Sequence, residues 1–262
     1  MSKDNEVSRI RSEIDGRVLI ITIANAEKKN AFSPAMFQDV SAALTELDTN
    51  PELWAGVILA EGDHFTAGLD MPKFFGPGAE DQPLPEGHID PLGLTKRCSK
   101  PLVTAVQGIC YTVGIEIMLA GDIVVAAESV RFSQMEAKRG IAPIGGAHFR
   151  YLTRMGWGDA MYHLMLCDEF GAERALKTGL VQEVVTTGSQ GQRAIELAKL
   201  ITQNAPLGIQ ATKAAALSLT DVGEAKAIAS IEEIRAKVMG SADMMEGIRS
   251  FVERRAANFQ GK

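Results

Sequence analysis

The chain has 262 residues, with 27 Lys and Arg against 33 Asp and Glu, a formal net charge of −6. Hydrophobic residues at 46% and charged residues at 23% are ordinary for a globular protein and exclude a disordered or collagen-like chain. A chain this long buries about 70–75% of its unfolded surface, so it needs no metal or disulfide staple.

Mild acidity disfavours nucleic acid as the main partner. Cys98, Cys110 and Cys167 are few and widely spaced, with no CxxC pair. They read as small buried hydrophobes in a reducing compartment, not as a zinc or redox site. Residues 1–13 are polar and mixed in charge, without an apolar signal core. The longest apolar runs, such as 123–127, fall far short of the ~20 residues of a membrane span. The expectation is a soluble, cytoplasmic protein with no membrane partner.

Residues 18–23 are a continuous β-branched run and read as a buried strand. Ser33-Pro34 opens a helix, with Ser33 as cap and Pro34 at the first helical position. Met36, Phe37, Val40, Ala43, Leu44 and Leu47 follow at spacings of three and four and form one apolar face. Residues 54–60 are again a strand. Residues 71–91 carry five prolines and the pair Phe74-Phe75, which reads as a flap over a pocket. A second strand–helix–strand unit follows at 103–106, 114–120 and 123–127. Such alternation argues for parallel pairing with helices outside. Helices are expected at 159–166, 172–178, 192–204, 206–218, 222–239 and 243–258. A lone strand is expected at 180–185, with Gly179 as a helix stop.

His64, His88, His148 and His163 lack metal-ligand spacing, so no metal site is expected. There is no GxSxG elbow, no GxGxxG and no GxxxxGK[ST]. Two strand-end loops remain, 65–70 and 108–116. Gly68 permits a backbone that aims consecutive N–H groups into a pocket. Gly114 lies at a helix N-terminus, where free N–H groups can hold developing negative charge. Glu116 and Glu136 flank the next strand, and two carboxyls brought together there would serve as acid and base. Read by spacing alone, a glycine turn and two unrelated glutamates remain the simpler account.

Residues 23–32 (IANAEKKNAF) resemble the entry motif of the crotonase, or enoyl-CoA hydratase/isomerase, superfamily. Residues 65–71 (FTAGLDM) resemble its FxAGxDL loop, 103–122 its second loop and helix, and 251–259 its last helix. The match runs nearly the whole chain in order. It implies an α/β spiral of repeated β-β-α units over residues 1–190. A helical region, 191–262, would build a homotrimer or a hexamer of paired trimers. It also implies an acyl-CoA thioester substrate, with coenzyme A part of the substrate and no separate cofactor.

By position, the backbone N–H groups of Leu69 and Val113 would hold the thioester enolate oxygen, with Gly68 and Gly114 keeping the geometry. Val113 stands where the family commonly has glycine. Members that hydrate enoyl-CoA carry two glutamates, and Glu116 and Glu136 occupy both positions. Lys28, Lys29, Ala31, Ala67, Asp70 and Arg254 would lie on the CoA side, as local cations and backbone in an acidic chain. The reaction implied is hydration of a 2-enoyl-CoA. Enoyl-CoA isomerisation, another enolate reaction, and a non-catalytic acyl-CoA-binding scaffold stand as alternatives.

Overall fold

The structure is a computed structural model that describes residues 9–75, 82–222 and 231–262. Its centre is a six-stranded sheet in the order β1-β2-β3-β4-β6-β9. The strands are β1 (Ile10–Asp15), β2 (Val18–Ile23), β3 (Ala55–Ala60), β4 (Leu102–Val106), β6 (Ile123–Ala127) and β9 (Glu183–Val185). Only β1, on the edge, runs antiparallel; the rest pair in parallel. Five of the six β2 residues are buried, as expected of a strand covered on both faces.

Helix α1 (Pro34–Thr49) covers one face. Ser33 Oγ accepts the Met36 N–H at 3.3 Å, and Pro34 occupies the first turn. The buried face is Met36, Val40, Ser41, Ala43, Leu44 and Leu47, so Phe37 lies partly outside the expected stripe. Helix α6 (Gln190–Ile201) covers the other face, packing Ala194 and Ala198 on Val18, Ile20, Val57, Val103 and Val125. Small residues on α6 let it lie close to β-branched strands.

A second sheet of three short strands stacks beside the first: β5 (Ile109–Tyr111), β7 (Arg131–Ser133) and β8 (Phe170–Gly171). It turns the chain into successive β-β-α steps. The first is β4, β5 and α3 (Val113–Ala120). The next is β6, β7 and α4 (Ala147–Leu166). The corner between β4 and β5 is Gly108, at φ +51°, where a Cβ would overlap the Asp63 carbonyl. Helices α5 (Ala172–Thr178), α7 (Pro206–Val222), α8 (Ile231–Met239) and α9 (Ala242–Glu253) complete the described chain.

Several expectations need correction. The helix expected at 159–166 begins twelve residues earlier and bends at Gly156, whose φ of 73° and ψ of 171° are not helical. The strand expected at 180–185 shortens to three residues, after Gly179 ends α5 at φ +80°. The flap expected at 71–91 is described in two parts, 71–75 and 82–91. Met71–Phe75 form a short helix, α2. Residues 82–91 are fastened to α1, with Gln38 Nε2 donating to the Gln82 and Pro83 carbonyls and Ser41 Oγ to that of Ile89. Residues 76–81 and part of the expected 222–239 helix, 223–230, lie outside the described residues. All three cysteines are buried. No helix among the described residues is long and apolar enough to cross a membrane.

Candidate active site

The loop at 65–70 is built by two parallel bridges. Thr66 pairs with Cys110 of β5, and Leu69 with Phe32 ahead of α1. Phe32 N–H donates to the Gly68 carbonyl at 2.9 Å, and Asp70 N–H to the Phe32 carbonyl at 2.8 Å. Those bonds fix the strand's hydrogen-bonding side, so the Leu69 N–H faces away from Phe32. Gly68 sits at φ +110°, with Thr112 Oγ1 2.6 Å from where a Cβ would stand. The left-handed backbone and the close neighbour both require glycine.

Across this contact, α3 begins. Thr112 takes φ 46° and ψ −114°, a costly conformation for a β-branched residue. Thr112 therefore bears the strain at this corner. Val113 is the first helical residue and is not among the positive-φ residues, which is why a Cβ is tolerated where the family commonly has glycine. Its N–H is one of the helix-end donors that have no partner inside the helix. Gly114 lies against Thr66 and Cys110, where a Cβ would overlap Thr66 Cγ2.

Glu116, one turn into α3, is 5% exposed, and Glu136, opening a 3₁₀ turn after β7, is 8% exposed. Consecutive β-β-α steps thus bring together two carboxyls that are 20 residues apart in sequence. Glu116 Oε1 accepts the Ala147 N–H at 3.3 Å. Ala147 is the first residue of α4, so this carboxylate faces a helix N-terminus. The Gly145 N–H also supports it, and His148 and Arg150 add positive charge nearby. A Cβ on Gly145 would overlap Glu116 Oε2.

Burial pushes both carboxyls above the ordinary range, and more than their bonding can offset. Glu136 rises to about 7, chiefly by burial and further by the Glu116 charge, against the pull of its own backbone N–H. Glu116 has the N–H donors and cations; Glu136 faces Glu116. This asymmetry favours charge on Glu116 and a proton on Glu136.

The other expected site residues are more scattered. Lys28 is exposed and pairs with Asp70 at 3.8 Å. Lys29 is exposed at φ 50°, and its carbonyl accepts the Ala67 N–H at 2.9 Å. Ala31 lies on the same turn, its carbonyl held by Asn25 Nδ2. Lys28, Lys29, Ala31, Ala67 and Asp70 therefore form one rim beside Gly68. Arg254 caps α9 at φ 53° and is exposed; none of its described contacts joins it to that rim within the chain. Three residues beside the glutamates carry no sequence signal of what they do there. Gly145 and Ala147 act through backbone N–H, which no side-chain pattern announces. Gln134, two residues before Glu136, is 2% exposed and places its amide against the Glu136 carboxyl.

A model of the family described as enoyl-CoA hydratase/isomerase matches residues 13–262. The chain belongs to the enoyl-CoA hydratase/isomerase family, within the crotonase superfamily. It is 33% identical over 251 residues to an enoyl-CoA hydratase, EchA19, of Mycobacterium tuberculosis, covering 94% of each chain. It is 31% identical over 242 residues to a mevalonyl-coenzyme A hydratase of Aspergillus fumigatus, covering 91% of this chain and 89% of the relative. Its fold matches the crystal structure of a probable enoyl-CoA hydratase/isomerase from Mycobacterium abscessus. That match has a TM-score of 0.93 and 38% identity, and it covers 97% and 99% of the two chains. The resemblance read from the motifs and the crotonase-like fold class are both borne out.

Proposed function

We propose that the protein is an enoyl-CoA hydratase, adding water across the 2,3 double bond of a 2-enoyl-CoA thioester. The observation that carries this reading is the facing pair Glu116 and Glu136, both buried, both pushed up, in unlike surroundings. The relatives named above as an enoyl-CoA hydratase and a mevalonyl-coenzyme A hydratase support the same chemistry.

In the proposed reaction, Glu116 takes a proton from water as its oxygen bonds to the β-carbon. The double-bond electrons move toward the thioester, whose oxygen becomes an enolate. The Leu69 and Val113 N–H groups hold that oxygen. Glu136 then gives its proton to the α-carbon, and the carbonyl re-forms. Aimed backbone donors of this kind contribute about 3–4 kcal/mol each at most. Coenzyme A enters and leaves as part of the substrate, along the rim of Lys28, Lys29, Ala31, Ala67 and Asp70. Arg254 completes that rim only from another copy of the chain, in a homotrimer or hexamer.

The test is spectrophotometric. Purified protein is mixed with short, medium and aromatic 2-enoyl-CoA thioesters, and the conjugated enone absorbance is followed. Loss of absorbance with hydroxyacyl-CoA formation is the expected result. If no thioester loses absorbance while acyl-CoA still binds, the protein is a thioester-binding member instead.

A further inference from the structure

Gln134 belongs to no expected site, yet it is buried between two pieces of the catalytic apparatus. One end of its amide lies 2.6 and 2.9 Å from the two Glu136 oxygens. The other end lies 3.4 Å from the Thr112 carbonyl oxygen. That carbonyl belongs to the same peptide unit as the Val113 N–H. It already accepts from the Ile115 and Glu116 N–H groups at 2.9 and 3.2 Å, so the Gln134 contact is its third and longest.

An amide has a donor end and an acceptor end of nearly the same shape, so either can face Glu136. When Glu136 is ionised, it has only acceptors, and the amide nitrogen must face it. The amide oxygen then opposes the Thr112 oxygen. When Glu136 is protonated, its O–H donates to the amide oxygen, and the nitrogen donates to Thr112. Each orientation of the amide suits one protonation state of Glu136 and opposes the other. An unpaired buried polar group is costly, so the amide orientation and the Glu136 proton are tied together.

We propose that Gln134 is a positioning residue whose amide turns over with the protonation of Glu136, linking that proton to the peptide that presents the Val113 N–H. Before proton transfer, the amide supports the Thr112–Val113 peptide, while the neighbouring enolate oxygen carries charge. After transfer, it turns to stabilise the Glu136 carboxylate. No bond other than hydrogen bonds changes, and no co-reactant is needed. The titratable groups facing the pair are Glu116 of α3 and Tyr151 of α4, with His148 and Arg150 beyond Glu116 and with Cys110 of β5 and Asp168 beyond Tyr151. Cys110 and Tyr151 are both pushed well above their ordinary values by burial, so neither changes charge near neutrality.

The inference rests on Glu136 as the acid, but its test needs no substrate, so it fails separately from the hydratase reading. The protein is labelled with ¹⁵N at glutamine side chains, and the Gln134 signal is assigned by its loss in Gln134→Met. Between pH 5 and 9, that signal is expected to shift in one step near pH 7. The step should vanish in Glu136→Gln and persist in Glu116→Gln, even if at a displaced pH. A Gln134 signal that stays fixed, or that titrates unchanged in Glu136→Gln, overturns the proposal. In activity, Gln134→Met removes a donor to the charged form, which gains more from it than the neutral form does. The alkaline limb of kcat is expected to move up by about half to one pH unit. A lower kcat with the limb unmoved would mean a merely structural role and would also overturn it.

Discussion

Glu116 and Glu136 differ in surroundings more than in burial, and that difference sets what each can do. N–H groups at the start of α4 face Glu116, so its charge is supported. Glu136 faces the Glu116 charge and rises to about 7. Removing either carboxyl while keeping its shape tests the pair. Glu116→Gln and Glu136→Gln are each expected to lower kcat by at least ~10²-fold, in the range of a lost acid or base, with KM within a few-fold. An isomerase would show one large effect and one small one. The pH profile follows from the same assignment. With Glu136 as the proposed acid, kcat is expected to fall as pH rises through about 7. Stability carries the same sign. A carboxyl raised in the folded state binds its proton more tightly there, so its favourable contribution is full below the unfolded value. That contribution is lost as pH climbs through about 7. Glu136→Gln is therefore expected to be the more stable protein above pH 7, by ~1–2 kcal/mol. Urea melts at pH 5 and pH 8 read this as a gap that is small at the lower pH and widens at the higher.

At the scale of elements, the site hangs on corners more than on strands and helices. Gly145 is the clearest case, because a methyl group there collides with the Glu116 carboxyl. Gly145→Ala is expected to lower kcat by ~10²-fold through displaced geometry, with melting lowered only modestly. A fully active Gly145→Ala would contradict the placement of Glu116. The same contrast explains what the sequence makes legible. Strands β2, β3, β4 and β6 are buried β-branched runs, and α1 carries its own cap and apolar stripe, so local chemistry announces them. Strand β1 has one buried residue in six; its pairing with β2 holds it, which no apolar pattern reveals. Strands β5, β7 and β8 have three residues or fewer and exist through distant partners. Gly156 and Gly158 obscure the first half of α4, because glycine reads as a break. Spacing alone leaves Glu116 and Glu136 as two unrelated glutamates, and only the resemblance to the family motifs picks them out as a pair. Their backbone donors, and Gln134 beside them, depend on how two β-β-α steps stack.

At the scale of the whole molecule, apolar side chains remain uncovered on two helices, α9 and α4. Met245, Ile248, Phe251 and Val252 of α9 stand 50–84% exposed, while Asp243 and Ser250 of the same helix are buried. Trp157, Tyr162, Met165 and Leu166 of α4 are similarly exposed. Apolar surface on this scale supports the proposed assembly, in which another chain would cover it. Light scattering is expected to give three or six times the 28.1 kDa of one chain, and Phe251→Asp to lower that mass. A wild-type monomer at micromolar concentration would contradict the assembly and the role given to Arg254. The chemistry itself is tested most directly by isotope incorporation. A 2-enoyl-CoA that loses absorbance is incubated with the protein in ¹⁸O-water, and separately in D₂O, and the product is read by mass spectrometry. The predicted product carries one ¹⁸O on the β-carbon from the first solvent. From the second, it carries one deuterium on the α-carbon that does not wash out. A product with a shifted double bond and no solvent oxygen, or a thioester returned unchanged, would contradict hydration by Glu116 and Glu136.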